Sequence, residues 1–509
     1  MSEEQKMRKM NRRDMLRLTG TAGVGILAAA CTQATPQVIE VEKQVVVEKE
    51  VVTTVEVEKI VEVEKVVEVE KVVEVAVTAE PGMGGAMVDG ALWVLQKKDF
   101  HPDYNDYLRN EISAYASEQD WPLDISYIAG FASGTGEIEK LAAAVQAGNP
   151  PDLVDHDGFS VPQLRNLYIV QPASDVVEQV EAVFGLAAPF LKQVHYLDGQ
   201  WWLVPYHQRA GGGYYRRDVF DAAGIDVQQI RQYDHLAEAA LEASDPDNEM
   251  YGWGITVNRS GDGNSLINRV KTGWGAAWQD ETGQFIRTNS PEMIEAMEFI
   301  KGIYTDPQNE PMLPPGILAW NDISNNEAYL GSKIAYTENA GTVYAQSVVD
   351  QNPVSPVTNF LKPPGGPVIQ EFHTLGSKNW HFMRGAKNTA AAKQLVLEFT
   401  ANLDRYDAML ASSPAYALPA YTDLWEMSAF IQTSEIALQA KNSALDPSGI
   451  NVNPHPGPPS AAMSAIDEGG IWNDMVNSIM TGTDVAEAVA DAHDRMILVF
   501  QEFGLPGEE

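Results

Sequence analysis

The chain is almost without cysteine. Cys31 is the only one in 509 residues, so no disulfide forms within it. Basic side chains are scarce as well: 35 Lys and Arg face 71 Asp and Glu, a formal charge of −36. Without the first thirty residues, which carry six basic and three acidic groups, the charge is near −39. Such a surface repels nucleic acid and anionic lipid and excludes both as partners. The apolar run at residues 18–30 is about 13 long, short of the roughly 20 that cross a membrane. No HExxH, GxSxG or Walker loop occurs, and nine scattered histidines show no metal-ligand spacing. No cofactor or metal is expected, and no carboxylate pair stands out for catalysis.

What is present begins with an address. Asn11-Arg12-Arg13-Asp14-Met15 precedes that short Gly-rich run, a basic start and apolar middle that make an export signal. The arginine pair resembles a twin-arginine signal, with an ordinary secretory signal as the alternative. Cys31 follows Leu27-Ala28-Ala29-Ala30 and resembles the lipidated cysteine of bacterial lipoproteins. That implies an acyl anchor on the outer face of the cytoplasmic membrane, where two or more chains hold stably.

Residues 38–77 repeat a six-residue Val/Glu/Lys unit, clearest in Val55-Glu56-Val57-Glu58-Lys59-Ile60. In a helix six residues leave a net turn of about 240°, spreading valine around every side. β-branched valine also disfavours helix. The repeat reads as a solvated tether reaching at most ~200 Å, or alternatively as a self-associating stalk. Residues 1–30 are thus the signal, 31–88 the lipidated cysteine and tether, and 89–509 the globular part.

The globular part alternates strand and helix. Residues 91–95 are a short apolar run, and Leu108, Ile112 and Tyr115 then follow helical spacing. Residues 123–128 alternate, 137–147 are helical, and Leu153-Val154 opens another strand. This grammar predicts an α/β fold with a sheet covered on both faces. Ligands of such sheets sit beyond the carboxyl ends of the strands, which singles out loops 97–101 and 155–159. Further on, residues 251–257 and 333–337 read as strands, and Ser290-Pro291-Glu292 starts a helix with Met293, Met297, Ile300 and Tyr304 buried.

Five stretches in order carry a resemblance: "AGNPPDLVDHDG" (147–158), "DGQWWLVPYHQRAGGGYYRRDVFDAAGID" (198–226), "WQDETGQFIRTNSPEMIEAMEFIKGIY" (278–304), "GSKIAYTENAG" (331–341) and "GAKNTAAAKQLVLEF" (385–399). The chain from about 91 to 500 resembles the family 1 extracellular solute-binding proteins, carbohydrate receptors of ABC importers related to maltose-binding protein. The resemblance implies a two-lobed periplasmic-binding-protein fold, type II-like, with two parallel or mixed sheets, flanking helices and a hinge. Lobe 1 is expected at about 89–208 plus 360–415, and lobe 2 at about 212–358 plus 416–505. Trp201–Val204 is expected as a lobe 1 strand, Tyr206–Arg209 as a crossing of the cleft floor, and Gly211, Gly212 and Gly213 as backbone freedom at the hinge.

Carried over position by position, the expected ligand contacts are Asp99, His156, Asp157, Tyr206, His207, Arg209, Glu338, Asn339, Trp380 and Trp472. His156 stands where relatives have an aromatic platform. Arg209 stands where the maltose receptor has an acid, and Gly341-Thr342 where relatives have a tryptophan turn. The expected function is capture of a mono- or oligosaccharide by a monomer and its delivery to a membrane permease. The alternatives are another small solute (a sugar acid, glycerol phosphodiester or metal chelate) or an exported glycan hydrolase.

Overall fold

The computed structural model describes residues 86–100, 102–128, 137–370 and 375–509. The export signal, Cys31 and the Val/Glu/Lys repeat lie outside these residues. Among the described residues ten strands occur in chain order: β1 (Leu92–Lys97), β2 (Leu123–Ile128), β3 (Leu153–His156), β4 (Tyr196–Leu197), β5 (Gln200–Trp201), β6 (Val204–Ala210), β7 (Gly212–Arg216), β8 (Tyr336–Asn339), β9 (Thr358–Leu361) and β10 (Leu375–Phe382).

The first sheet has the order β2-β1-β3-β10-β6. β1 lies parallel to both β2 and β3. Parallel neighbours need a crossover; helix Pro102–Glu118 joins β1 to β2, and helix Glu137–Gln146 lies between β2 and β3. β1 alternates buried and half-buried positions, whereas all four residues of the central β3 are buried. β10 runs antiparallel to both β3 and β6. The carboxyl ends of β1, β3 and β6 and the amino end of β10 therefore meet at one edge. That edge carries Lys97, Asp157, Arg209 and Lys378.

The second sheet, β8-β7-β9, is antiparallel throughout. Helix Pro291–Thr305 covers this half, its first turn capped by the Ser290 hydroxyl, which accepts from the Met293 amide at 3.2 Å. Met293, Met297, Ile300 and Tyr304 are buried as the spacing requires. Each half has its own core. One packs Leu92, Val94, Leu153, Val204 and Trp380; the other packs Phe220, Trp253, Met297, Tyr336 and Trp472. Each such apolar side chain stabilises by about 1.5–3 kcal/mol relative to exposure.

Four sequence expectations are corrected. Residues 201–204 are not a strand: β5 ends at Trp201 and β6 begins at Val204. Tyr206–Arg209 are therefore the sheet itself, and Gly211 alone passes from β6 to β7. Residues 251–257 form no named strand; they hold to the 333–336 segment by a bridge from Tyr251 to Ile334 and by the Gly254 amide, which donates to the Tyr336 carbonyl at 2.8 Å. The strand expected at 333–337 lies at Tyr336–Asn339. Residues 416–445, expected in the second lobe, pack into the first core through Leu418, Tyr421, Trp425 and Ala440. Leu418 exchanges both backbone hydrogen bonds with Gln208 at 2.9 Å, which ties this segment to the outer edge of β6. The chain joins the second core only from Ala462 onward.

Candidate functional site

A cavity of about 410 Å³ opens at the edge where the strand ends of the first sheet meet the second half. Its first wall is a charged lattice. Asp157 accepts from Lys97 Nζ at 2.7 Å and from Arg209 Nη1 at 2.9 Å. Burial raises the Asp157 carboxyl, but Lys97 and Arg209 more than offset this and hold it well below the usual range. Arg209 also donates to the Ser377 carbonyl at 3.1 Å and to the Tyr416 hydroxyl at 3.4 Å.

Beneath this wall Lys378 is buried from β10. It pairs with Asp99, lies 3.3 Å from Asp155, and donates to the Lys97 carbonyl. Burial lowers its pKa, yet Asp155 and Asp99 raise it further, so it stays charged. Asp99 also accepts from Tyr416 at 2.6 Å. Burial acts against Asp99, but Lys378 brings its pKa below the ordinary value. Asp155 accepts from the Tyr206 hydroxyl at 2.8 Å, and burial pushes its carboxyl up to about 6.

The second wall is built from helix starts. Helix Gly261–Gly273 is capped by Ser260, and both Asp322 oxygens accept its first amides, Gly261 and Asp262, at 2.9 Å. Asp322 itself opens helix Asp322–Leu330. Helix Thr342–Val349 begins after Gly341, whose φ of 103° needs a glycine, and the Asn339 side chain accepts from the Gly341 and Val343 amides. Arg269 donates to Glu338 at 2.7 Å, and Tyr233 donates to the other Glu338 oxygen. Asp262 accepts from Asn325 at 2.8 Å. Burial, then the neighbouring Asp322 carboxylate, pushes Asp262 well above the usual range.

Of the residues expected to meet a ligand, Asp99, Asp157, Arg209 and Asn339 border the cavity, as does Gly211. Glu338 stands one step behind, holding Arg269. Tyr206 is buried in β6, where it bonds Tyr104 and Asp155 and stacks on Trp380. His207 is buried among Tyr104, Tyr206 and Tyr416, and burial pushes its imidazole down to about 3. His156 shapes the turn after β3. The Gly158 amide donates to its Nδ1 at 2.9 Å, so Nε2 carries the proton and donates it to Glu137.

Two aromatic expectations fail. Trp380 is 1% exposed and Trp472 fully buried, stacked on Trp278, because each is a large filler of its own core. Gly212 and Gly213 are not in a glycine-only conformation. They lie in β7, where a Cβ on Gly213 would stand 2.0 Å from the Tyr336 hydroxyl. The sequence reading missed Arg269, Asp262, Asp322 and Tyr416. Caps at Ser260 and Asn321 signal helix starts locally, but nothing local places the two starts side by side.

Two α/β halves joined at β6–β7, with a polar cavity between them, define a two-lobed receptor fold. Residues 103–402 match the bacterial extracellular solute-binding protein model, and the chain belongs to that family. An arabinooligosaccharide-binding protein of Halalkalibacterium halodurans is 29% identical over 168 residues; these are 32% of this chain and 35% of that protein, so the matched stretch spans about a third of the relative's length. A Thermotoga lettingae solute-binding protein crystallised with α-D-tagatose superposes with a TM-score of 0.67 at 16% identity, over 81% of this chain and 100% of that one. A maltose-bound T. maritima protein gives 0.65 at 15% identity, over 80% and 99%. At those identities the structural likeness is one of fold.

Proposed function

We propose that this chain captures a carbohydrate between its two halves and delivers it to a membrane ABC importer, held at the cell surface by acyl chains on Cys31. The observation that carries the reading is the cavity itself, bordered by both halves with paired charges and amide groups. Sugars present rings of hydroxyls, and buried hydroxyls need donors and acceptors in fixed places. Asp157 supplies an ionised acceptor, and Asp262, its carboxyl pushed up by burial and by Asp322, supplies a second carboxyl on the opposite wall. Asn326 and Asn339 add amides of both kinds.

The charge balance favours a neutral solute over a sugar acid or phosphodiester. Lys97 and Arg209 are both engaged by Asp157, and Arg269 by Glu338. No ion pair engages Asp262 or Asp322 among the described residues. Each of these cations already faces a carboxylate, so an anion would have to compete with Asp157 or Glu338 for it.

Two carboxyls shifted in opposite directions are also the tools of glycoside hydrolysis. We assign them to binding, in keeping with a family of extracellular binding proteins. Calorimetric titration with mono- and oligosaccharides, sugar acids and glycerol phosphodiesters tests the proposal, followed by chromatography of the recovered ligand. Saturable one-to-one binding of a neutral saccharide recovered intact supports it. Heat only from anionic ligands, or shortened products, overturns it.

A further inference from the structure

The cleft continues past the Asp157 wall. A second cavity, of about 240 Å³, lies on the other side of the same turn, and Asp157, Gly158 and Gly376 border both. It too is built from both halves. Phe159, Phe190, His195 and Ser377 come from the first, and Asn453 and the helix Ala461–Gly469 from the second. One hydrogen bond spans the halves at its border, from Gln163 Nε2 to Glu468 Oε2 at 2.8 Å.

Its chemistry differs from the first cavity in one respect: among the described residues no lysine or arginine borders it. His195 is neutral, since burial pushes its imidazole down to about 3, and it hydrogen-bonds the Ser377 hydroxyl at 2.8 Å. Asp467 accepts from Asn453 at 3.0 Å. Burial brings its carboxyl up to about 6. Phe159, Pro162, Phe190, Pro459 and Met463 supply apolar surface between these polar groups. Apolar faces interleaved with hydroxyl, amide, imidazole and carboxyl groups suit the two sides of a sugar ring.

Resting on the carbohydrate reading above, we infer that the two cavities are one elongated site, and that the solute is an oligosaccharide of about three rings. A dry cavity of about 150 Å³ admits one six-membered ring. On that scale the larger chamber takes two sugar units and the smaller takes one, with the chain of rings passing Gly158 and Gly376. Gly158 and Gly376 add no side chain of their own at the junction, and the Arg209 guanidinium, 3.4 Å from the Cβ position of Gly376, lies where a passing ring would meet it.

A length series on the full chain tests this, using arabinose to arabinotetraose and glucose to maltotetraose in calorimetry. The expected result is affinity rising at least about tenfold from one ring to three in one series, then levelling at four. Ser464→Trp, placed in the smaller chamber alone, is expected to abolish that gain while monosaccharide binding stays within about twofold. Ser160→Trp serves as the second variant if Ser464→Trp does not fold by circular dichroism. A monosaccharide bound as tightly as its trimer, or a folded variant that keeps the gain, overturns the inference and leaves the carbohydrate reading standing. No binding at any length overturns both.

Discussion

Arg209 joins three elements at once: it donates to Asp157 after β3, to the Ser377 carbonyl on β10 and to Tyr416. Arg209→Ala leaves Asp157 with Lys97 alone. The expected outcome is a loss of about 1.5–3 kcal/mol in stability and at least about tenfold in saccharide affinity, read by denaturant titration and calorimetry. Arg209→Lys is expected to restore the charge without the forked contact and to recover only part of the affinity. Asp155 makes a separate prediction. Its folded pKa of about 6 lies above the ordinary 3.8. Between those values the folded protein holds a proton that the unfolded chain has released, so stability falls as pH rises from about 4 to about 6. Asp155→Asn never ionises and lacks this fall. The stability difference, variant minus wild type, should grow across that window and stay constant above about pH 7; a pH-independent difference contradicts the assignment. At this scale Asp99 and Asp157 were legible in the sequence because the rule for strand ends points at their loops, and Arg209 and Asn339 because the family landmarks point at them. Trp380 and Trp472 were misread because a large aromatic near a landmark has the same signature whether it meets a ligand or fills a core.

Elements were legible where alternation of strand and helix is local. β1, β2 and β3 with their crossover helices follow from periodicity, and the loops after β1 and β3 carry Lys97, Asp99 and Asp157 as that pattern implies. β10 was not legible as the antiparallel strand between β3 and β6, since it pairs with partners more than 160 residues away. Without that placement Lys378 reads as a surface lysine, whereas it is the buried cation beneath the first wall. The triple glycine was read as freedom at a hinge, but space explains two of its members. Gly213→Ala is expected to cost about 1–3 kcal/mol, because the new methyl meets the buried Tyr336 ring and forces β8 from β7. A denaturant midpoint unchanged from wild type would show that the sheet absorbs the methyl.

At the scale of the whole molecule, two cores with separate sheets share a cleft, and the chain passes directly from one sheet to the other at Gly211. The excess of acid over base leaves the surface repelling polyanions, while inside the cleft the cations are held by carboxylates. On the reading proposed above, the ligand is a neutral, hydroxyl-rich guest. The measurement that tests this most directly is a crystal structure of residues 89–509 grown with the saccharide that binds most tightly in solution. The account predicts sugar density between Asp157 and Arg209 on one side and Asp262 and Asn339 on the other. Sugar lying on an outer face, or within one half without touching the other, would contradict it.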